Sequence, residues 1–468
     1  MAGQHAREVV NTTRIATYIT PLLWPSFVLA HTGERGFVML LPTRLYIVGG
    51  ALVVAVSFVV ALLLPRGVGK SSSEEPTNEE DTELWPGIVT LALLAILLLA
   101  GYFGSRDPLS NPLPTVIWSI WWIGLTLLHA VFGNLWRWLN PWRAVYRLTG
   151  KICSTKPRLV YPRWLGYWPA CAFFFWFAWF ELVHPAPFDP ARLATAVLIY
   201  GCVNVFAMFL FGEKAWLRHG DAFAVFFRMV SWLSPITRGE NGRVRLRWPA
   251  SRLLSLPPLP ISGVAFVLLA LSSVAFDGFS RTFTWMGLLG ENPLEYPGRS
   301  ALLLDNTLGL AFSFALFAVV YGLIATIEDR ISDNRESNDL SRCLVYSLVP
   351  IAFGYHFAHY LPAFLLDSQY ALRAISDPFA NGWNLLGTRD WHVVASFMSN
   401  HRSVEMIWHA QVAVIVLAHV CAVFVAHAFA LRLNTQSGTT FVDELPSTLL
   451  MIGYTMLGLW LLSTPIVA

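Results

Sequence analysis

The sequence predicts an all-α, polytopic integral membrane helix bundle, and three observations carry that prediction. Of 468 residues, 55% are hydrophobic and only 13% charged, where a soluble domain carries about 25% charged residues. Mean hydropathy is +0.54. Apolar runs of about 20 residues, the length that crosses a bilayer, recur along the chain and are separated by polar loops.

Residues 1–30 begin with a polar region holding Arg7 and Arg14, pass through the apolar stretch IATYITPLLWPSFVLA and end in Val28-Leu29-Ala30. Small residues at the last and third-last positions suit signal peptidase, so the segment reads as a signal peptide, or as an N-terminal anchor if retained. Cleavage after Ala30 would start the mature chain at His31. Ten spans are expected in the single membrane domain 31–468: 45–64, 86–104, 114–132, 165–183, 193–211, 261–277, 302–326, 344–366, 404–431 and 447–467.

Loop charge orients them. With the mature N-terminus outside, one inner loop holds Arg137, Arg143, Arg147, Lys151, Lys156, Arg158 and Arg163, and the next holds Lys214, Arg218, Arg228, Arg238, Arg243, Arg245, Arg247 and Arg252. Outer loops carry only scattered arginines, so the excess of inner positive charge places the mature N-terminus on the extracytoplasmic side. The net charge of +3 says little by itself, and nucleic acid is not an expected partner.

Between spans, 65–85 is polar and acidic without apolar periodicity, and reads as a disordered cytoplasmic loop. Residues 133–148 and 213–236 mix aromatic, apolar and basic side chains at helical spacing. They read as amphipathic helices in the inner interface, with tryptophans at headgroup level and arginines reaching the phosphates. The five cysteines lie in or beside apolar spans, and no CxxC or CxxCH motif is present. Walker A, GxSxG, HExxH and dinucleotide-binding patterns are also absent.

The chemistry-bearing residues fall in one layer. His356 and His359 lie three apart within an expected span, on one side of a helix, and an ionisable residue inside a span is a functional candidate. The next span holds His409, Gln411, His419 and His427, and the facing surfaces of these two helices are the expected site. In the chosen orientation Glu181, His184, Asp277, Asp305, Asp367, His356, His359, His409 and Gln411 occupy the outer half of the membrane or its edge, where His31 would also emerge. Each has a plainer role open to it: helix packing for His419 and His427, capping or interfacial hydration for Glu181, Asp277 and Asp305. Imidazole with carboxylate suits a divalent transition metal, copper or zinc, or non-haem iron, and such an ion can activate bound water. The candidate ligands are His31, His356, His359 and His409, with the α-amino group of His31 as a further donor. The outer loop 368–403 carries Trp383 and Trp391, which would cover a pocket or anchor at the interface.

Several segments show a resemblance: NPWRAVYRL (140–148), YPRWLGYWPA (161–170), FAWFELV (177–183), GDAFAVFF (220–227), SLVPIAFGYHFAHYL (347–361), SDPFANGWNLLGT (376–388), VLAHVCAVFVAH (416–427) and GLWLLS (458–463). Together they resemble a family of bacterial multi-pass membrane proteins labelled fenitrothion hydrolase. The resemblance implies a bacterial inner-membrane location and hydrolysis of an organophosphorus triester, and brings no assignment of catalytic residues. The expected function is a metal-assisted, phosphotriesterase-like hydrolase acting on a lipophilic ester at the outer leaflet, with the bilayer and a lipophilic small molecule or metal ion as partners. Two alternatives stand beside it: a protein that binds or imports copper through His31 and the membrane histidines, and a subunit of a larger membrane complex.

Overall fold

The computed structural model describes residues 43–63, 83–152, 156–238, 244–331, 337–433 and 441–464. The segment 1–30, His31 and nearly all of the loop 65–85 lie outside these residues.

The chain is built almost wholly of helices: α1 (Thr43–Leu63), α2 (Trp85–Phe103), α3 (Pro112–Phe132), α4 (Trp136–Leu139), α5 (Pro141–Thr149), α6 (Trp168–Leu182), α7 (Pro190–Phe211), α8 (Glu213–His219), α9 (Ala222–Ser231), α10 (Ile261–Ser280), α11 (Phe283–Leu289), α12 (Leu303–Ile331), α13 (Ser337–Leu344), α14 (Leu348–Ser376), α15 (His401–Leu433) and α16 (Phe441–Ser463). Among the described residues, α1, α2, α3, α7, α10, α12, α15 and α16 contain stretches long and apolar enough to cross a membrane. The shorter α6 and the polar-studded α14 pack among them, so every expected span coincides with a helix. A small antiparallel hairpin, β1 (Ile236–Arg238) with β2 (Val244–Leu246), adds the one departure from an all-helical chain among the described residues.

Burial divides the helices. The outward surfaces of α1 and α12 are apolar and open, with Leu52, Val56, Phe312, Val319 and Leu323 exposed, as expected of surfaces solvated by lipid chains. By contrast α10 is enclosed along most of its length. It packs on α6, α12 and α14, and α14 in turn packs on α3 and α15, so α10 and α14 form the centre. The first described helix, α1, closes the C-terminal side by packing on α15 and α16.

Proline and close approach shape the centre. Pro362 lies inside α14 and has no N–H to give the carbonyl four residues back, that of Ala358. Gln411 of α15 donates its amide to that carbonyl instead, at 2.6 Å. One side of α16 is held open by Gly458: a Cβ there would stand 1.3 Å from the Tyr355 hydroxyl, which donates to the Tyr454 carbonyl at 2.8 Å.

The short helices α4, α5, α8 and α9 differ from expectation. Trp136, Trp142, Trp216 and Trp232 are buried rather than at headgroup level, and α9 is enclosed against α3, α6 and α14. Arg143 and Arg147 both meet Glu213, at 2.5 and 3.0 Å. The physical reason is mutual packing: Phe223 and Phe227 of α9 contact Trp121 of α3 edge-on, so the aromatic faces find protein. Asn140 and Asp221, which cap the N-termini of α5 and α9, are joined by a 3.2 Å hydrogen bond.

Candidate functional site

Glu181 stands in the last turn of α6, Asp277 in the last turn of α10, and Tyr360 with His359 midway along α14. Three separate helices thus deliver four titratable side chains to one place. The Tyr360 hydroxyl lies 2.8 Å from Glu181 Oε1 and 3.0 Å from Asp277 Oδ2. His359 Nε2 lies 2.7 Å from the same Asp277 oxygen.

Counting protons makes this arrangement informative. A phenol has one proton to donate, and an ionised carboxylate only accepts. The two contacts of Tyr360 are therefore fully satisfied when one carboxyl is protonated and donates to the phenolic oxygen. Asp277 Oδ2 already faces an imidazole nitrogen, which leaves Glu181 to carry the proton. The resulting order is Glu181 to Tyr360 to Asp277, with His359 at the end of the chain. Exposure runs the same way: the Asp277 side chain is 4% exposed and that of His359 26%.

Two guanidinium groups border the cluster. Arg281, just beyond α10, stands 3.8 Å from Asp277 Oδ1, and Arg299 donates to the carbonyls of Glu181 and His184 at 2.7 and 3.5 Å. Burial, with the repulsion of Arg299, pushes the Arg281 guanidinium down to about 10; it stays a cation at neutral pH. The Trp122 indole of α3 lies close to Glu181 and Tyr360, though its N–H meets no acceptor at hydrogen-bonding geometry.

The structure separates the other candidates. His356 and His359 do not converge. Three residues of helix leave the two side chains about 60° apart and about 4.5 Å apart along the axis, and the neighbouring helices meet them differently: His359 faces Asp277 while His356 packs edge-on to Trp122, ring centroids 4.8 Å apart. His409 leaves the site altogether, for its Nε2 lies 2.9 Å from the Tyr46 hydroxyl of α1. Gln411 serves the α14 carbonyl described above. The cluster of titratable side chains therefore lies where α6, α10 and α14 meet rather than between α14 and α15.

His184 stacks on Phe180 with centroids 4.8 Å apart, and its Nδ1 accepts from the Ala186 amide at 3.1 Å. Burial first, then Arg192, holds its imidazole below the ordinary value. Asp305 lies at the start of α12 and Asp367 eight residues beyond His359 in α14, both half-buried; neither meets the cluster. His419 lies within 2.8 Å of the Ile415 carbonyl, and His427 pairs with Glu444 at 2.9 Å. Trp383 and Trp391 are both exposed on the loop between α14 and α15.

Among the described residues, no three His, Cys, Asp or Glu side chains converge in a manner that would hold a metal ion. The Asp277 carboxylate and the His359 ring face each other, and Tyr360 separates the second carboxylate, so these donors do not fit a shared ion. His31 lies outside the described residues. Comparison with family models, with curated proteins and with solved structures finds no match.

Sequence reasoning missed Tyr360, Arg281, Arg299 and Trp122. Tyr360 follows His359 directly and carried a signal, since a tyrosine beside a membrane histidine has a polar tip that must find a partner when buried.

Proposed function

We propose that the chain is a multi-pass inner-membrane hydrolase of lipophilic esters, organophosphorus triesters among them, with the Asp277 and His359 pair as its general base. The observation that carries this reading is the 2.7 Å approach of a partly exposed imidazole to a buried carboxylate. Asp277 holds the ring through Nε2, and the other ring nitrogen takes a proton from water. Bases positioned in this manner contribute rate factors of about 10²–10⁴.

The balanced step is attack of that water on the ester phosphorus. Its oxygen forms the new P–O bond, its first proton passes to His359, and the bond to the aryloxide leaving group breaks. His359 then returns the proton to the aryloxide, giving a phenol and a dialkyl phosphoric acid. Arg281 supplies positive charge beside the cluster while negative charge builds on the phosphoryl oxygen. Glu181 and Tyr360 fix Asp277 from its buried side, and the proton on Glu181 removes what would otherwise be a second negative charge.

The topology in this reading has ten spans, the eight long apolar helices together with α6 and α14, and the basic inner loops put the Asp277 layer on the extracytoplasmic side. An apolar triester dissolved in the outer leaflet would meet His359 from the membrane. The test is hydrolysis of paraoxon, followed by release of 4-nitrophenol, with the purified chain in lipid vesicles. Release above that of protein-free vesicles supports the reading, and its absence across several aryl phosphotriesters counts against it.

A further inference from the structure

Below the carboxylate layer, α14 turns His356 towards α3. The ring lines a cavity of about 30 Å³ whose walls are otherwise almost entirely apolar, among them Phe174, Phe226, Phe266 and Phe353. His356 is 2% exposed and neither ring nitrogen has a hydrogen-bond partner among the described residues. A neutral imidazole presents one donor and one acceptor, so both of its polar demands are unmet. The Trp122 carbonyl approaches the ring without reaching hydrogen-bonding geometry.

A second polar group lines the same cavity. Thr126 gives its hydroxyl proton to the Trp122 carbonyl at 2.5 Å and keeps lone pairs free to accept. The backbone here is unusual, for Val116–Gly124 forms a π-helical stretch inside α3, a feature that recurs at functional sites. The space admits one or two water molecules, and buried cavities with polar partners are hydrated where purely apolar ones stay dry.

We propose that this cavity is a binding pocket for one or two water molecules, held by His356 and Thr126. Bound water serves the imidazole and the threonine oxygen together. It also gives His356 a partner for proton exchange one helical turn below Tyr360, whose ring lies 4.9 Å away. The pocket is distinct from the water that the hydrolase reading assigns to His359, and stands or falls separately.

The test is solid-state NMR of the full chain, labelled with ¹⁵N-histidine, in phosphatidylethanolamine–phosphatidylglycerol vesicles. His356 is assigned by the signal lost in His356→Asn. Transfer of magnetisation from water to the His356 nitrogens is expected in the wild type. Ala352→Leu, which fills the cavity one turn below the ring, should abolish that transfer and leave the His359 signals in place. A wild-type His356 with no transfer from water overturns the proposal, and so does transfer that survives unchanged in folded Ala352→Leu. Should Ala352→Leu not fold, the wild-type spectrum decides alone.

Discussion

Gln411 donates its side-chain amide to the Ala358 carbonyl at 2.6 Å, replacing the backbone donor that Pro362 cannot supply. One residue of α15 thereby satisfies the carbonyl that Pro362 leaves open in α14, next to His359 and Tyr360. Replacing Gln411 by Leu leaves that carbonyl buried without a partner, at a cost of about 1–3 kcal/mol. Thermal unfolding in detergent should show the loss, and Gln411→Glu, unable to donate when ionised, should not restore it.

Tyr360→Phe removes the hydroxyl that both carboxyls contact. Glu181 and Asp277 then confront each other without a shared donor, so the variant should be destabilised by about 1–3 kcal/mol while keeping the imidazole of His359. If its melting temperature matched wild type, the Tyr360 contacts would carry none of the proposed order.

The packing of α14 on α16 gives an independent check of the fold. A methyl group at position 458 would collide with the Tyr355 hydroxyl, so Gly458→Ala should cost at least the 1–3 kcal/mol typical of overpacking. The Tyr355 ring carbons crowd position 458 along with the hydroxyl, so Tyr355→Leu in the same chain removes the colliding atoms and should recover part of the loss. A double variant no more stable than Gly458→Ala would place the clash elsewhere.

His184 provides a pH signature. Its imidazole is held below the ordinary value by burial and by Arg192, so the folded chain binds this proton less tightly than the unfolded chain. Stability should be unaffected by His184 well above pH 6.5 and fall as pH drops through that ordinary value, where the unfolded state takes up the proton first. His184→Asn should flatten the melting-temperature profile between pH 7 and 5; an unchanged slope would assign the effect to other groups.

The helices were legible because a bilayer demands long apolar runs, and each such run from 45–64 to 447–467 corresponds to a helix. The candidate layer was partly legible: Glu181, Asp277 and His359 were chosen by depth and come together. What depth cannot supply is direction. His356 and His359 share a span yet face different neighbours, and His409 turns to Tyr46, because the partner of each side chain depends on how helices far apart in sequence pack. The tryptophans of 133–148 and 213–236 show the same thing. Their amphipathic spacing suits an interface, but four of them found protein surfaces to bury against.

Topology can be read directly with single cysteines at two exposed positions, Asp390→Cys on the long loop after α14 and Arg245→Cys in the hairpin between α9 and α10. An impermeant thiol reagent added to intact cells should label the first and spare the second. The reverse pattern would put the Asp277 layer on the cytoplasmic side.

The central claim is that His359, oriented by Asp277, accepts the proton of the attacking water. It is tested most directly by the rate of 4-nitrophenol release from paraoxon by His359→Gln, compared with wild type at equal amounts of folded protein in the same vesicles. Glutamine keeps the size and a hydrogen-bonding end but cannot take the proton, so kcat should fall by about 10²–10⁴ with KM little changed. A His359→Gln chain that hydrolyses paraoxon at the wild-type rate would contradict the account.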